Sequence, residues 1–281
     1  MSALIPSTQQ HGFQPRSNAR ATLTAFVAIV SRDLLVMRRE VITFLLQTLI
    51  QPLFFLFVFG KVLPTIGAAN VGFSTLLLPG IVALTVFLTA LQGPAIDLAR
   101  DLNVFREIDD RLLAPLPVAL VAVEKVVLAV LRALIGGAFI FPLALWILGS
   151  GYQVRADQLG VLIGLMVLVA LVGASVGLVL GAAVPIQLLP LIFALVLTPL
   201  IFTGCTFFPW ASLGAIKWFQ VVTLFNPLTY AAEGMRYAMV PPIHGRALQT
   251  LAIGWVGLAL CASFILALWG GLKLFHRRVV S

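Results

Sequence analysis

The sequence predicts an all-α integral membrane protein with six transmembrane helices, and three observations carry that prediction. Of 281 residues, 61% are hydrophobic and 10% are charged, whereas a soluble domain carries about a quarter charged residues and needs them to cover its surface. The apolar residues fall into six runs of roughly 20 or more, enough to cross a hydrocarbon core of about 30 Å. The basic residues flank those runs unequally, as they do where positive charge sets orientation. The net charge of +8 is accounted for in this way, and no nucleic-acid partner is expected.

The chain begins with a polar stretch, residues 1–21, which carries Gln9, Gln10, His11 and Arg16 and is expected to be a disordered cytosolic head. The first apolar run starts only near Val41 and is too long for a signal-peptide core. Residues 22–278 are expected to form one transmembrane domain. Within Thr22–Arg39, Leu23, Phe26, Val27, Val30, Leu34 and Met37 recur at helical spacing, with Thr24, Ser31, Arg32, Arg38 and Arg39 opposite. That pattern suits an amphipathic helix lying along the cytosolic membrane surface. Arg38, Arg39 and Glu40 are expected to break it from the first span. The alternative is a simple cytosolic extension of that span.

Spans are expected at about 41–63, 76–96, 118–148, 158–184, 187–205 and 249–272. The first contains Pro52, which should kink it. The third is long, so it should either project into the cytosol around Glu124 and Lys125 or bend at Pro142. With both termini cytosolic, twelve basic residues lie inside, five outside, and Arg132 within a span. This asymmetry supports six spans in the cell membrane.

Two connecting segments stand out. Residues 97–117 hold Asp97, Asp101, Glu107, Asp109 and Asp110 beside Arg100, Arg106 and Arg111. Val104, Ile108, Arg111 and Leu112 share helical spacing, and Pro115 with Pro117 ends the helix. By charge alone this is a solvated connector or a short helix able to enter a groove on a soluble partner. Residues 207–240 are too broken by Pro209, Gly214, Lys217, Asn226 and Pro227 to span. Trp210, Trp218, Phe219, Phe225, Tyr230 and Tyr237 favour the membrane–water interface instead. Two short re-entrant helices dipping into the outer leaflet fit, the second started by Asn226 and Pro227. Glu233 and Arg236, one turn apart on it, either face the exit of a transport path or form a local ion pair that orients the helix.

Within the spans, Thr43, Gln47 and Gln51 form a stripe at spacing four, which either lines a path or hydrogen-bonds between packed helices. Arg132 must face protein or water, because a charge in hydrocarbon costs at least about 2.5 kcal/mol. It contacts an acidic or phosphate-bearing substrate group, or it snorkels to the cytosol, or it pairs with Glu124. Gly173, Gly177 and Gly181 form a double GxxxG, a device for close helix packing.

Sequence signals for catalysis are missing. There is no phosphate-cradling GxxxxGK[ST] loop, HExxH or CxxC, and His11, His244 and His276 have no neighbour at metal-ligand spacing. Two cysteines, Cys205 and Cys261, do not make a disulfide framework. Neither enzymatic activity nor a bound metal or cofactor is expected of this chain.

Four pieces together resemble one family: RREVITFLLQTLIQPLFFLFVFGKVLP (38–64), FREIDDRLLAPLPVALVAVEKV (105–126), GCTFFPWASLGAIKWFQVVTLFNPLTYAAEGMRYAM (204–239), and six spans with both ends inside. The chain is similar to the membrane subunits of type-2 ABC exporters, which include daunorubicin-resistance-like drug permeases and polysaccharide exporters. The resemblance implies that residues 22–39 are an interfacial elbow and that the outer helices cap the path. It implies a coupling helix at Arg106, Glu107, Asp109, Asp110, Arg111, Leu112 and Leu113 that docks on a separate ABC ATPase carrying ATP and Mg. It also implies a second permease copy, identical or related, with the first and fifth spans meeting between them. Gln47, Gln51, Arg132, Asn226, Glu233 and Arg236 become candidates for the substrate path. The apolar middle of the fifth span keeps only Phe193 and Phe202 as aromatics, which points away from a sugar chain and toward a hydrophobic or amphipathic substrate: a drug, lipid or glycolipid. A competing reading is an ion-coupled carrier or channel, against which stands the placement of nearly all acids outside the spans.

Overall fold

A computed structural model describes residues 19–68, 73–101, 118–149, 155–242 and 248–280. Among these residues every regular element is a helix. The spans are α1 (Ala19–Phe55), α2 (Phe73–Arg100), α3 (Val118–Leu148), α4 (Leu159–Ala183) and α5 (Leu189–Thr203), joined after two short helices by a sixth. The short helices are α6 (Lys217–Thr223) and α7 (Pro227–Met239), and the last span is α8 (Ile253–Val280). Among the described residues six helices are long and apolar enough to cross a membrane, which matches the number expected.

The predicted break at Arg38–Glu40 is absent. α1 runs unbroken from Ala19 to Phe55. Arginine and glutamate are good helix formers, and a change of polarity interrupts no backbone hydrogen bond. The helix changes instead after Pro52, where Leu56–Val62 is π-helical before a last turn at Leu63–Thr65. Proline supplies no N–H and crowds the preceding turn, and wider turns of this kind absorb the misfit. α3 covers the full 118–148 with Pro142 inside it. At 1.5 Å per residue its 31 residues extend about 46 Å, so it outruns the hydrocarbon core.

α2 is the centre of the bundle. The apolar window of α2 is 78% buried, against 11% for α1 and 6% for α5. It packs on α4, α3 and α7, and α8 closes over α4 and α7. The glycines of α4 set the closeness of its contact with α2. A methyl group at Gly173 would stand 2.5 Å from the Phe87 carbonyl oxygen, one at Gly181 would stand 2.8 Å from that of Ala95, and one at Gly177 would overlap that of Leu91. The double GxxxG therefore packs within the subunit. A smaller apolar cluster of Leu98, Ala122, Leu178, Ala182 and Phe275 closes the end where α2, α4 and α8 finish. There Arg278 Nη1 donates to the Ala182 carbonyl at 2.9 Å and caps α4.

Candidate functional site

Among the described residues, the expected path residues fall in two places. The first is a cavity of about 470 Å³ between α1 and α2, reached by Arg132 of α3. α1 contributes Glu40, Thr43, Gln47, Thr48 and Gln51, because residues four apart share a helix face. α2 contributes Thr85, Thr89, Gln92, Asp97 and Arg100. Three of the expected path residues, Gln47, Gln51 and Arg132, therefore line one cavity. The α2 side was missed, although Thr85, Thr89, Gln92 and Ile96 recur at helical spacing through an otherwise apolar run. Thr85 Oγ1 donates to the Ile81 carbonyl at 2.8 Å, leaving its oxygen free to accept.

Arg132 is held by Asp97, with Nη1 3.3 Å from Oδ2, and both side chains are about a third exposed. Of the alternatives for Arg132, a partner on its own helix at Glu124 is thereby replaced by one on α2. Glu124 lies eight positions back on the same helix, about 12 Å along the axis, whereas Asp97 stands across the α2–α3 contact. Lys125 instead pairs with Asp101 at 3.3 Å, and both are nearly buried. That contact joins the end of α2 to the second turn of α3, on either side of residues 102–117. The residues expected to dock, Arg106 to Leu113, lie outside the described residues.

The second place is the segment after α5. Asn226 caps α7: its side chain accepts from Leu228 N at 2.9 Å, and Pro227 takes the first helical position. Asn226 Nδ2 also donates to the Leu200 carbonyl and to Thr203 Oγ1, tying α7 to the end of α5. Arg236 and Glu233 are wholly buried, with Nη1 and Oε1 2.9 Å apart. The same Oε1 accepts from Trp210 N at 2.9 Å. Arg236 Nη2 donates to the Cys205 carbonyl at 2.6 Å and to that of Thr206 at 2.9 Å, and Nε donates to Leu76 at 3.2 Å. Gly80 leaves room for the Thr206 carbonyl to approach. Cys205 holds φ 49°, an uncommon left-handed conformation for this residue type, and Arg236 grips that turn. The pair binds α7, the turn after α5 and the start of α2 into one piece, apart from the cavity. Asn226, Glu233 and Arg236 therefore do not join Gln47, Gln51 and Arg132 in a common site.

Among the described residues no group of three or more His, Cys, Asp or Glu is placed to hold a metal ion. The family model for the ABC-2 type transporter matches residues 24–240, which takes in the cavity and the whole outer segment. No curated protein matches the chain.

Proposed function

The chain belongs to the ABC-2 type transporter family as a membrane permease subunit, and from that premise we propose that it exports a hydrophobic or amphipathic substrate with ATP hydrolysed by a separate subunit. The observation that carries the reading is the polar cavity set into a span of this family's domain. Glutamines and threonines are not kept on a lipid-facing helix without a partner or water, because unmet polar groups in hydrocarbon are costly. A passage for the polar part of a substrate supplies that partner.

Coupling follows from the chain's connectivity. Residues 102–117 join α2, the most buried span, to α3, and the Asp101–Lys125 pair locks the two helices at their ends. A pull on that segment reaches both helices together; α2 forms one wall of the cavity and α3 carries Arg132 to it. Arg106, Glu107, Asp109, Asp110, Arg111, Leu112 and Leu113 are proposed to sit in the groove of the ATPase. In this reading the permease pairs with a second copy, and the segment of α6 and α7 caps the outer end in the cell membrane, with both termini cytosolic.

The test is a purified complex. It should contain a second polypeptide with a phosphate-binding loop, and ATP should drive movement of a lipophilic probe in vesicles. Replacing Asp109, Asp110 and Arg111 with alanine should cut ATP-driven transport ~tenfold or more, as removal of interface anchors does, while insertion is retained. Normal transport by that variant would show that docking lies elsewhere.

A further inference from the structure

We propose, resting on the transport reading for the direction of movement, that the cavity between α1 and α2 selects an amphiphile by an uncharged, hydroxyl-rich head group. The lining charges cancel: Glu40 and Asp97 stand against Arg100 and Arg132. Arg132 and Asp97 are already engaged with each other, with Arg132 Nη1 3.3 Å from Asp97 Oδ2. An ionic head group of either sign would meet as many lining charges of its own sign as of the opposite one, so the lining gives it no net attraction to set against the water it loses.

The rest of the polar lining is uncharged. Gln47, Gln51 and Gln92 present amides, and Thr43, Thr48 and Thr89 present hydroxyls. Each of these groups both donates and accepts. No intramolecular hydrogen bond to the Gln47, Gln51 or Gln92 amide is present among the described residues. Gln47 and Gln51 are moreover exposed on a helix whose neighbouring residues, Leu46 and Ile50, are exposed apolar groups. Amides in that position need partners that also donate and accept, and a sugar or polyol hydroxyl does both. Phe44, Leu84 and Leu88 supply an apolar wall for the first carbons of a chain. The volume, about 470 Å³, falls within the range of small-ligand pockets and suits a head group rather than a polymer.

The experiment uses the full-length chain, without its ATPase, in nanodiscs of neutral lipid. Radiolabelled octyl glucoside, octyl trimethylammonium and octyl sulfate are titrated below their micellar concentrations. The glucoside should bind saturably and at least tenfold more tightly than either ion. Q47L/Q51L should weaken it by about tenfold, the loss of two neutral hydrogen bonds, while Asp97 and Arg132 are kept. If that double variant does not fold, Gln92→Leu reads the same lining from α2 and should weaken binding about threefold. Equal or tighter binding of an ionic amphiphile, or glucoside binding unchanged in a folded glutamine variant, overturns the proposal. Binding is read without the ATPase, so glucoside binding here together with no ATP-driven transport by the purified complex would sink the exporter reading alone. ATP-driven transport indifferent to head group would sink only the selectivity.

Discussion

Arg236 shows how one side chain sets local architecture. Its guanidinium donates to Glu233 and to three backbone carbonyls, those of Leu76, Cys205 and Thr206. A planar fork with five donors reaches several acceptors at once, which lysine cannot do. Arg236→Ala should therefore cost about 3–5 kcal/mol, because it strands a buried carboxylate as well as the carbonyls. Arg236→Lys should cost less. Unfolding of the detergent-solubilised protein measures both, and an alanine variant as stable as the parent would show that the pair has no clamping role. The cavity residues contribute differently. Gln47 and Gln51 are exposed and make no such network, so their replacement by leucine should leave stability near the parent level while altering ligand binding.

At the scale of elements, α4 meets the backbone of α2 directly at Gly173, Gly177 and Gly181. Lipid tails are as apolar as leucine, so helices in a bilayer gain from close packing rather than from leaving the solvent. Gly177 lets the two backbones meet. Gly177→Leu should overpack the contact and cost about 1–3 kcal/mol or more. Gly164→Ala on the same helix meets nothing within 4 Å and should change stability by less than about 0.5 kcal/mol. Thermal unfolding of the two variants side by side separates close packing from a general effect of glycine replacement. α1 is the opposite kind of element: a continuous 37-residue, largely exposed helix that contains Pro52 and is followed by the π-helical segment Leu56–Val62.

For the molecule as a whole, burial is strongly uneven. α2 is enclosed, whereas α1 and α5 expose long apolar faces: Leu46, Ile50 and Phe54 on one, Leu191, Leu195 and Phe202 on the other. These faces are covered by lipid or by a second permease. In the proposed assembly they meet between copies. Cysteines at Ile50 and Leu195, in a background with Cys261→Ala, should give an oxidised species of twice the 30.2 kDa chain mass in membranes. Recovery of monomer alone, under conditions that cross-link a control pair, would place lipid on both faces.

Composition and periodicity determined the number of spans, the limits of the middle ones to within a few residues, the capped start of α7 at Asn226–Pro227 and the glycine stripe of α4, but not the start of the first, which runs on without the expected break. Those features arise from local physics: hydrocarbon thickness, a side chain that accepts from its own helix, and the size of a side chain at spacing four. Glutamines at positions 47 and 51 were legible as a stripe for the same reason. Sequence could not say which helix faces them, that Asp97 rather than Glu124 holds Arg132, that Gly173 to Gly181 face α2, or that Glu233 and Arg236 are buried as a clamp apart from the cavity. Each of these depends on which face a helix turns toward a neighbour distant in sequence. In an apolar span nearly every face is hydrophobic, so periodicity carries almost no record of that rotation, and only the packed bundle decides it.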